Sequence, residues 1–193
     1  MKIRSIRSAC LIMVIMAAAL AGGCSKQVRY GDAKAVETVN LDFGSTDLQL
    51  IAESMTRSLL QAPVVANGSR PIVTVQDVKN KTSEYIDTRA ITDSIRAELV
   101  KSGRVRFAVD EVAMEEQISE LERQQSEYYD AEQTAEIGRM VGAAYRLQGS
   151  ILSIVKQNED VKDVYYKFNL QLWNVQNGLL EWSDEKDIRK TES

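Results

Sequence analysis

The sequence predicts an α/β domain of the mixed α+β kind, a sheet of four or five strands with helices packed against it. Three observations carry this. Apolar residues at helical spacing precede and separate the first strand-like runs, a clean period-two run "DVYYKFNLQLWNV" lies late in the chain, and Asn177-Gly178 follows it as a hairpin turn. Helices that alternate with the early strands, followed by a closing antiparallel meander, make a layered mixed sheet.

A single globular domain is expected over residues 39–188. Thr46 and Gln49 read as the capping box of a first helix, with Leu48, Ile51, Met55 and Leu59 on one face and Pro63 at its end. "PIVTVQDV", Pro71 to Val78, is a β-branched strand. Asp87 caps the next helix, Ile91, Ile95 and Leu99 line it, and Gly103 ends it. "RVRFAV" is a second strand with Val105, Phe107 and Val109 alternating. Asp110 opens a charged helix to about Gln125 with Met114, Ile118 and Leu121 inward. Asp130 with Gln133 starts another, running to about Ala144.

"YRLQGSILSIV" is the third strand. In the fourth, Val164, Tyr166, Phe168, Leu170 and Leu172 face one way and Tyr165, Lys167, Asn169 and Gln171 the other. The chain returns through "LLEWSD", and the charged end beyond Lys186, residues 189–193 above all, reads as a frayed tail.

The N-terminus has a different purpose. Lys2, Arg4 and Arg7 stand without an acidic residue before a run of 12 apolar positions, Ala9 to Leu20. A bilayer-spanning helix needs about 20, so this basic-then-apolar pattern describes a signal peptide, residues 1–23. Small residues lead into Cys24, as in the bacterial lipoprotein signal, where the cysteine is lipidated and becomes the mature N-terminus. Cys10 leaves with the signal, so Cys24 has no disulfide partner. Ser25, rather than Asp, after that cysteine implies the periplasmic face of the outer membrane. Residues 24–38 then form a short tether that spans about 50 Å at roughly 3.5 Å per residue.

Composition excludes much chemistry. There is no histidine, which removes His-dependent triads and His-containing zinc sites. Lipidation of Cys24 removes thiol catalysis too. Without Lys2, Arg4 and Arg7, 21 basic residues face 28 acidic ones, a formal charge of −7, a poor balance for nucleic-acid binding. Glu115, Glu116, Glu120 and Glu122 could supply an acid/base pair, but no aromatic platform accompanies them, and a solvated helix face explains them. The same reading applies to Glu84, Asp87 and Asp93. No catalytic, metal or cofactor site is expected; the residues alone describe a tethered, non-catalytic domain.

"VTVQDVKNKTSEYIDTRAITDSIRAELVKSGRVRFAV" resembles the core of LpoB-type lipoproteins, activators of penicillin-binding proteins. Val75, Asp77, Val78, Asn80 and Thr82 match the family's Asn-rich turn, and Leu99 and Gly103 its helix end. Ile137, Gly142, Ala143 and Tyr145 match its Gly-Ala-x-Tyr junction. Leu170, Leu172, Val175, Gln176, Gly178, Trp182 and Ser183 match its closing hairpin.

The resemblance implies a fold like the N-terminal domain of TolB. It also implies docking on the regulatory domain of a bifunctional class A penicillin-binding protein, which stimulates peptidoglycan synthesis. The implied contact face joins the turn Asn80, Lys81 and Thr82 to the strand bearing Tyr145, Gln148 and Ser150. Gln148 stands where the family has an aromatic residue, and the long Pro-rich linker of enteric members is absent. The alternative is a structural or assembly lipoprotein of the same fold, such as a secretion-pore subunit like the curli exporter. The polar face of the long hairpin (Lys167, Asn169, Gln171) disfavours a membrane-inserted pore.

Replacing Cys24 by Ser is expected to abolish incorporation of labelled palmitate and leave the signal uncleaved, read by the mass of the recovered protein.

Overall fold

The computed structural model describes residues 30–37, 40–130 and 132–193. The expected signal segment, Cys24 and, of the expected tether, residues 24–29 and 38 lie outside the described residues. Residues 30–35 contain a turn in which the Asp32 carboxylate accepts the Lys34 N–H at 2.9 Å. Val36–Ser193 forms a separate folded unit. No helix among the described residues is long and apolar enough to cross a membrane.

The unit runs α1 (Ser45–Gln61), α2 (Pro63–Ala66), β1 (Ile72–Val75), β2 (Lys79–Lys81), α3 (Thr88–Lys101), β3 (Arg106–Phe107), α4 (Glu111–Gln124), β4 (Tyr145–Gln157), β5 (Lys162–Asn174) and β6 (Leu180–Glu192). The strands form one sheet in the order β3-β1-β4-β5-β6, with β2 beside β4. β1 lies parallel to β3 and β4, and β2 parallel to β4; β4, β5 and β6 are antiparallel. The mixed α/β class expected from the sequence is therefore the observed one, with six strands.

One face of this sheet carries the core. Ile51, Met55 and Leu59 of α1 and Ile91, Ile95 and Leu99 of α3 meet Leu147, Ile151, Phe168, Leu170 and Leu172, all essentially inaccessible. The period-two reading of β5 is reproduced residue for residue: Val164, Tyr166, Phe168, Leu170 and Leu172 are buried, and the alternate positions are half-exposed. Burying each such side chain is worth about 1.5–3 kcal/mol. Gly149 lets β5 come this close, since a Cβ there would lie 2.1 Å from the Asn169 carbonyl oxygen.

Several local expectations change. α1 is capped two residues earlier than the Thr46/Gln49 pattern suggests, at Gly44: the Asp47 carboxylate accepts the Gly44 N–H at 2.8 Å, while the Thr46 hydroxyl accepts the Glu37 N–H. The strand expected from Pro71 to Val78 is divided. Gln76 N–H donates to the Leu147 carbonyl at 2.8 Å, and the chain then re-pairs further along β4 as β2, so Asn80 and Lys81 lie in a strand rather than only in a turn. In α4, Leu121 is buried but Ile118 is 42% exposed.

The helix expected from Asp130 to Ala144 is absent. Its cap forms, with Asp130 accepting from Glu132 N–H and Gln133 Nε2. But Gly138 takes φ +83°, and Ile137, Met140 and Val141 are exposed, so no buried face rewards propagation. The end of the chain is not frayed: β6 pairs with β5 as far as Glu192, and Asp163 accepts from Arg189 at 2.8 Å and Thr191 at 3.0 Å. The hairpin forms with Gly178 at φ +70°, while Asn177 keeps negative φ and the connection is longer than two residues.

Asp87 and Asp110 cap α3 and α4 as expected. Burial alone would raise the carboxyl pKa of Asp110. The Ala113 N–H at 3.0 Å and Arg96 at 2.8 Å outweigh that and hold it below the ordinary value. A carboxyl depressed in the folded state stabilises the fold above its unfolded pKa, about 3.9, and loses that contribution as pH falls through the folded value. Asp110→Asn is expected to lower stability at pH 7 by about 1–3 kcal/mol. The difference from the unmodified protein should shrink as urea titrations are repeated below about pH 4.

Candidate functional site

The second face of β4–β5–β6 shows side chains to solvent instead of a helix. Along β4 the strand parity sends Tyr145, Leu147, Gly149 and Ile151 to the core side and Arg146, Gln148, Ser150 and Leu152 to the open side. The registers place Trp173, Gln171, Asn169 and Lys167 beside these in β5. β2 adds Lys79 opposite Ser150 and Lys81 opposite Leu152.

The structure thus brings together three of the six face residues named from the sequence: Lys81, Gln148 and Ser150. Tyr145 does not join them; it packs against the core from the other side. Asn80 and Thr82 have an internal task. Asn80 Oδ1 accepts from Thr82 N–H at 2.9 Å, and Asn80 Nδ2 donates to the Glu84 carbonyl at 2.8 Å. These bonds shape the loop that follows β2 and leave Lys81 outside it, exposed.

That loop is fastened to the core by Glu84, which is not the solvated carboxylate the sequence suggested. Its carboxylate accepts the Phe43 N–H at 2.9 Å and the Tyr166 hydroxyl proton. Phe43 also packs edge-on against the Tyr166 ring, centroids 5.8 Å apart. Burial first, and then the bond to Glu84, push the Tyr166 hydroxyl pKa far above its ordinary value, so it remains a donor.

Charge divides the open face. On the β5–β6 side, Lys167 pairs with Glu185 at 2.7 Å and Arg189 with Asp163 at 2.8 Å. The bond that Lys167 donates to Glu185 raises the Lys167 pKa, and the one Asp163 accepts from Arg189 lowers the pKa of Asp163. On the β2–β4 side, Lys79, Lys81 and Arg146 have no ion-pair partner among the described residues. Sequence reasoning missed Lys79 and Arg146, although their offset of two from Lys81 and Gln148 was a sufficient signal.

Other candidates are chemically satisfied. The cleft of about 560 Å³ at the end of β1 holds Arg89, Arg96 and Asp110, but Arg96 already bonds Asp110 at 2.8 Å and Asp93 at 3.3 Å. Glu115, Glu116 and Glu122 on α4 are exposed, and Glu120 is paired with Arg123. No group of three or more His, Cys, Asp or Glu is placed to hold a metal among the described residues.

A family model described as peptidoglycan-synthase activator LpoB matches residues 47–188. Among solved structures, the LpoB C-terminal domain from Escherichia coli is 18% identical, covering 73% of this chain and 96% of that one at a TM-score of 0.43. The corresponding domain from Salmonella enterica is 20% identical, with 73% and 93% covered at a TM-score of 0.40. Lipoprotein GNA1162 from Neisseria meningitidis is 16% identical, with 63% and 83% covered at 0.42. No curated protein sequence matches.

Tyr166→Phe should leave the Glu84 carboxylate short of a donor and cost about 1–3 kcal/mol. Amide exchange should accelerate at Lys79–Lys81 before it does in β5; uniform acceleration across the sheet would contradict the anchoring role.

Proposed function

Because the chain belongs to the LpoB family of peptidoglycan-synthase activators, we propose that it binds and activates a bifunctional class A penicillin-binding protein. On this reading it is a non-catalytic lipoprotein. Residues 1–23 direct export, Cys24 carries the acyl chains, and the tether to residue 38 holds the domain at the periplasmic face of the outer membrane. Two or more acyl chains anchor stably where one does not.

The observation that carries the reading is the family match across residues 47–188. The open β2–β4 face supports the choice of contact surface: among the described residues Lys79, Lys81 and Arg146 have no ion-pair partner, and Gln148 and Ser150 make no side-chain hydrogen bond. Such groups are available to an acidic, hydrogen-bonding surface on the synthase. Asn80, Thr82 and Tyr145 support that surface from behind rather than touching the partner. Activation then follows from differential affinity: the domain shifts the synthase toward its active conformation only as far as it prefers that conformation.

The test is polymerisation of lipid II by the organism's own class A synthases, with and without the Ser25–Ser193 domain. A several-fold rate increase is expected, abolished by Lys81→Glu and weakened by Gln148→Ala. No increase and no binding with any of these synthases would overturn the assignment.

A further inference from the structure

β6 is the long free edge of the sheet. It is 13 residues, against two in β3 at the opposite edge, and it pairs with β5 alone. The Glu185 N–H is taken by the Asp184 side chain at 2.8 Å rather than by β5. Glu185 therefore belongs to a non-bonded pair, and by antiparallel alternation Ser183, Asp187, Arg189 and Thr191 also turn their N–H and C=O groups outward. None of these groups has a backbone partner beyond β5 among the described residues.

Proteins commonly blunt such an edge with charge, so that it repels its own copy in every register. Here the charges run "SDEKDIRKT" from Ser183 to Thr191 and are self-complementary about Asp187. In antiparallel pairing centred on Asp187, Glu185 opposes Arg189 of the second copy, twice by symmetry, so that each exposed group shares its charge between its own-chain partner, Lys167 or Asp163, and the second copy. Asp184 opposes Lys190, whose ammonium stays with Asp47 of its own chain at 2.6 Å. Ser183 then meets Thr191, and Lys186 meets Ile188. The one like pair, Asp187 with its copy, sits beside Lys167, whose Nζ is 3.8 Å from that carboxylate. Centring on Lys186 instead sets lysine against lysine and Glu185 against Asp187. Centring on Ile188 sets Lys186 against Lys190 and Asp184 against Glu192.

We propose that a second copy of this chain docks on β6, forming a two-fold dimer with a continuous sheet centred on Asp187. Isologous pairing consumes both β6 edges, and the two-residue β3 edges offer no comparable surface, so assembly closes at two. The β2–β4 face remains free, and the dimer does not depend on the activator assignment.

The test uses the full chain in detergent. In an antiparallel hydrogen-bonded pair the Cα atoms are about 5.5 Å apart, within disulfide reach. Asp187→Cys should therefore crosslink to a dimer under mild oxidation, well above the background of the unsubstituted protein. Ser183→Cys, whose copies are about 27 Å apart at 3.4 Å per residue, should stay at that background. By sedimentation velocity, Glu185→Arg should shift dimer to monomer, and Glu185→Arg with Arg189→Glu should restore the dimer. Unchanged thermal midpoints would show that each variant folds. A monomeric unsubstituted protein up to 100 μM, equal crosslinking at 183 and 187, or no rescue by the double exchange in folded protein would overturn the proposal.

Discussion

The rest of the molecule depends on the β4–β5 ladder. Thirteen residues of each strand pair without interruption, Tyr145 with Asn174 through Gln157 with Lys162. A slip of one residue would turn every side chain to the wrong face. The register is held by Leu147, Ile151, Phe168 and Leu170 on one side and by the space above Gly149, which no side chain can occupy. With the ladder fixed, β1 and β2 are two successive uses of the same β4 edge, and the open face has a defined set of residues.

What the sequence made legible was what local rules decide. The alternation in β5 identified the buried ridge because a half-buried strand must alternate. Asp87, Asp110 and Gly103 marked helix ends because unsatisfied backbone groups need such residues there. What it concealed depends on distant partners. β6 has little apolar content beyond Trp182 and Ile188; cross-strand bonds such as Arg189 to Asp163 complete it, and no local pattern announces them. The stretch from Asp130 to Ala144 shows the converse: cap and composition favour a helix, yet nothing buries its apolar side.

The candidate site was half legible for the same reason. Tyr145 and Gln148 are three apart, which on a strand means opposite faces, so the parity of the positions already separated them. Glu84 could not have been placed without the fold. Its partners, Phe43 and Tyr166, are 41 and 82 residues away in sequence. That contact makes the loop after β2 part of the core's framework, so Lys81 projects from a fixed base and loses less freedom when it meets a partner.

The central claim is that the family's activating contact in this chain is made by the β2–β4 face. The most direct test is to titrate the isotope-labelled domain with the regulatory domain of the proposed class A synthase and follow backbone amides. The account predicts saturable shifts concentrated at Lys79–Lys81, Arg146 and Gln148–Ser150, with α3 unaffected. Saturable shifts centred on α3 or on the cleft at Arg96, with the β2–β4 amides unmoved, would contradict it.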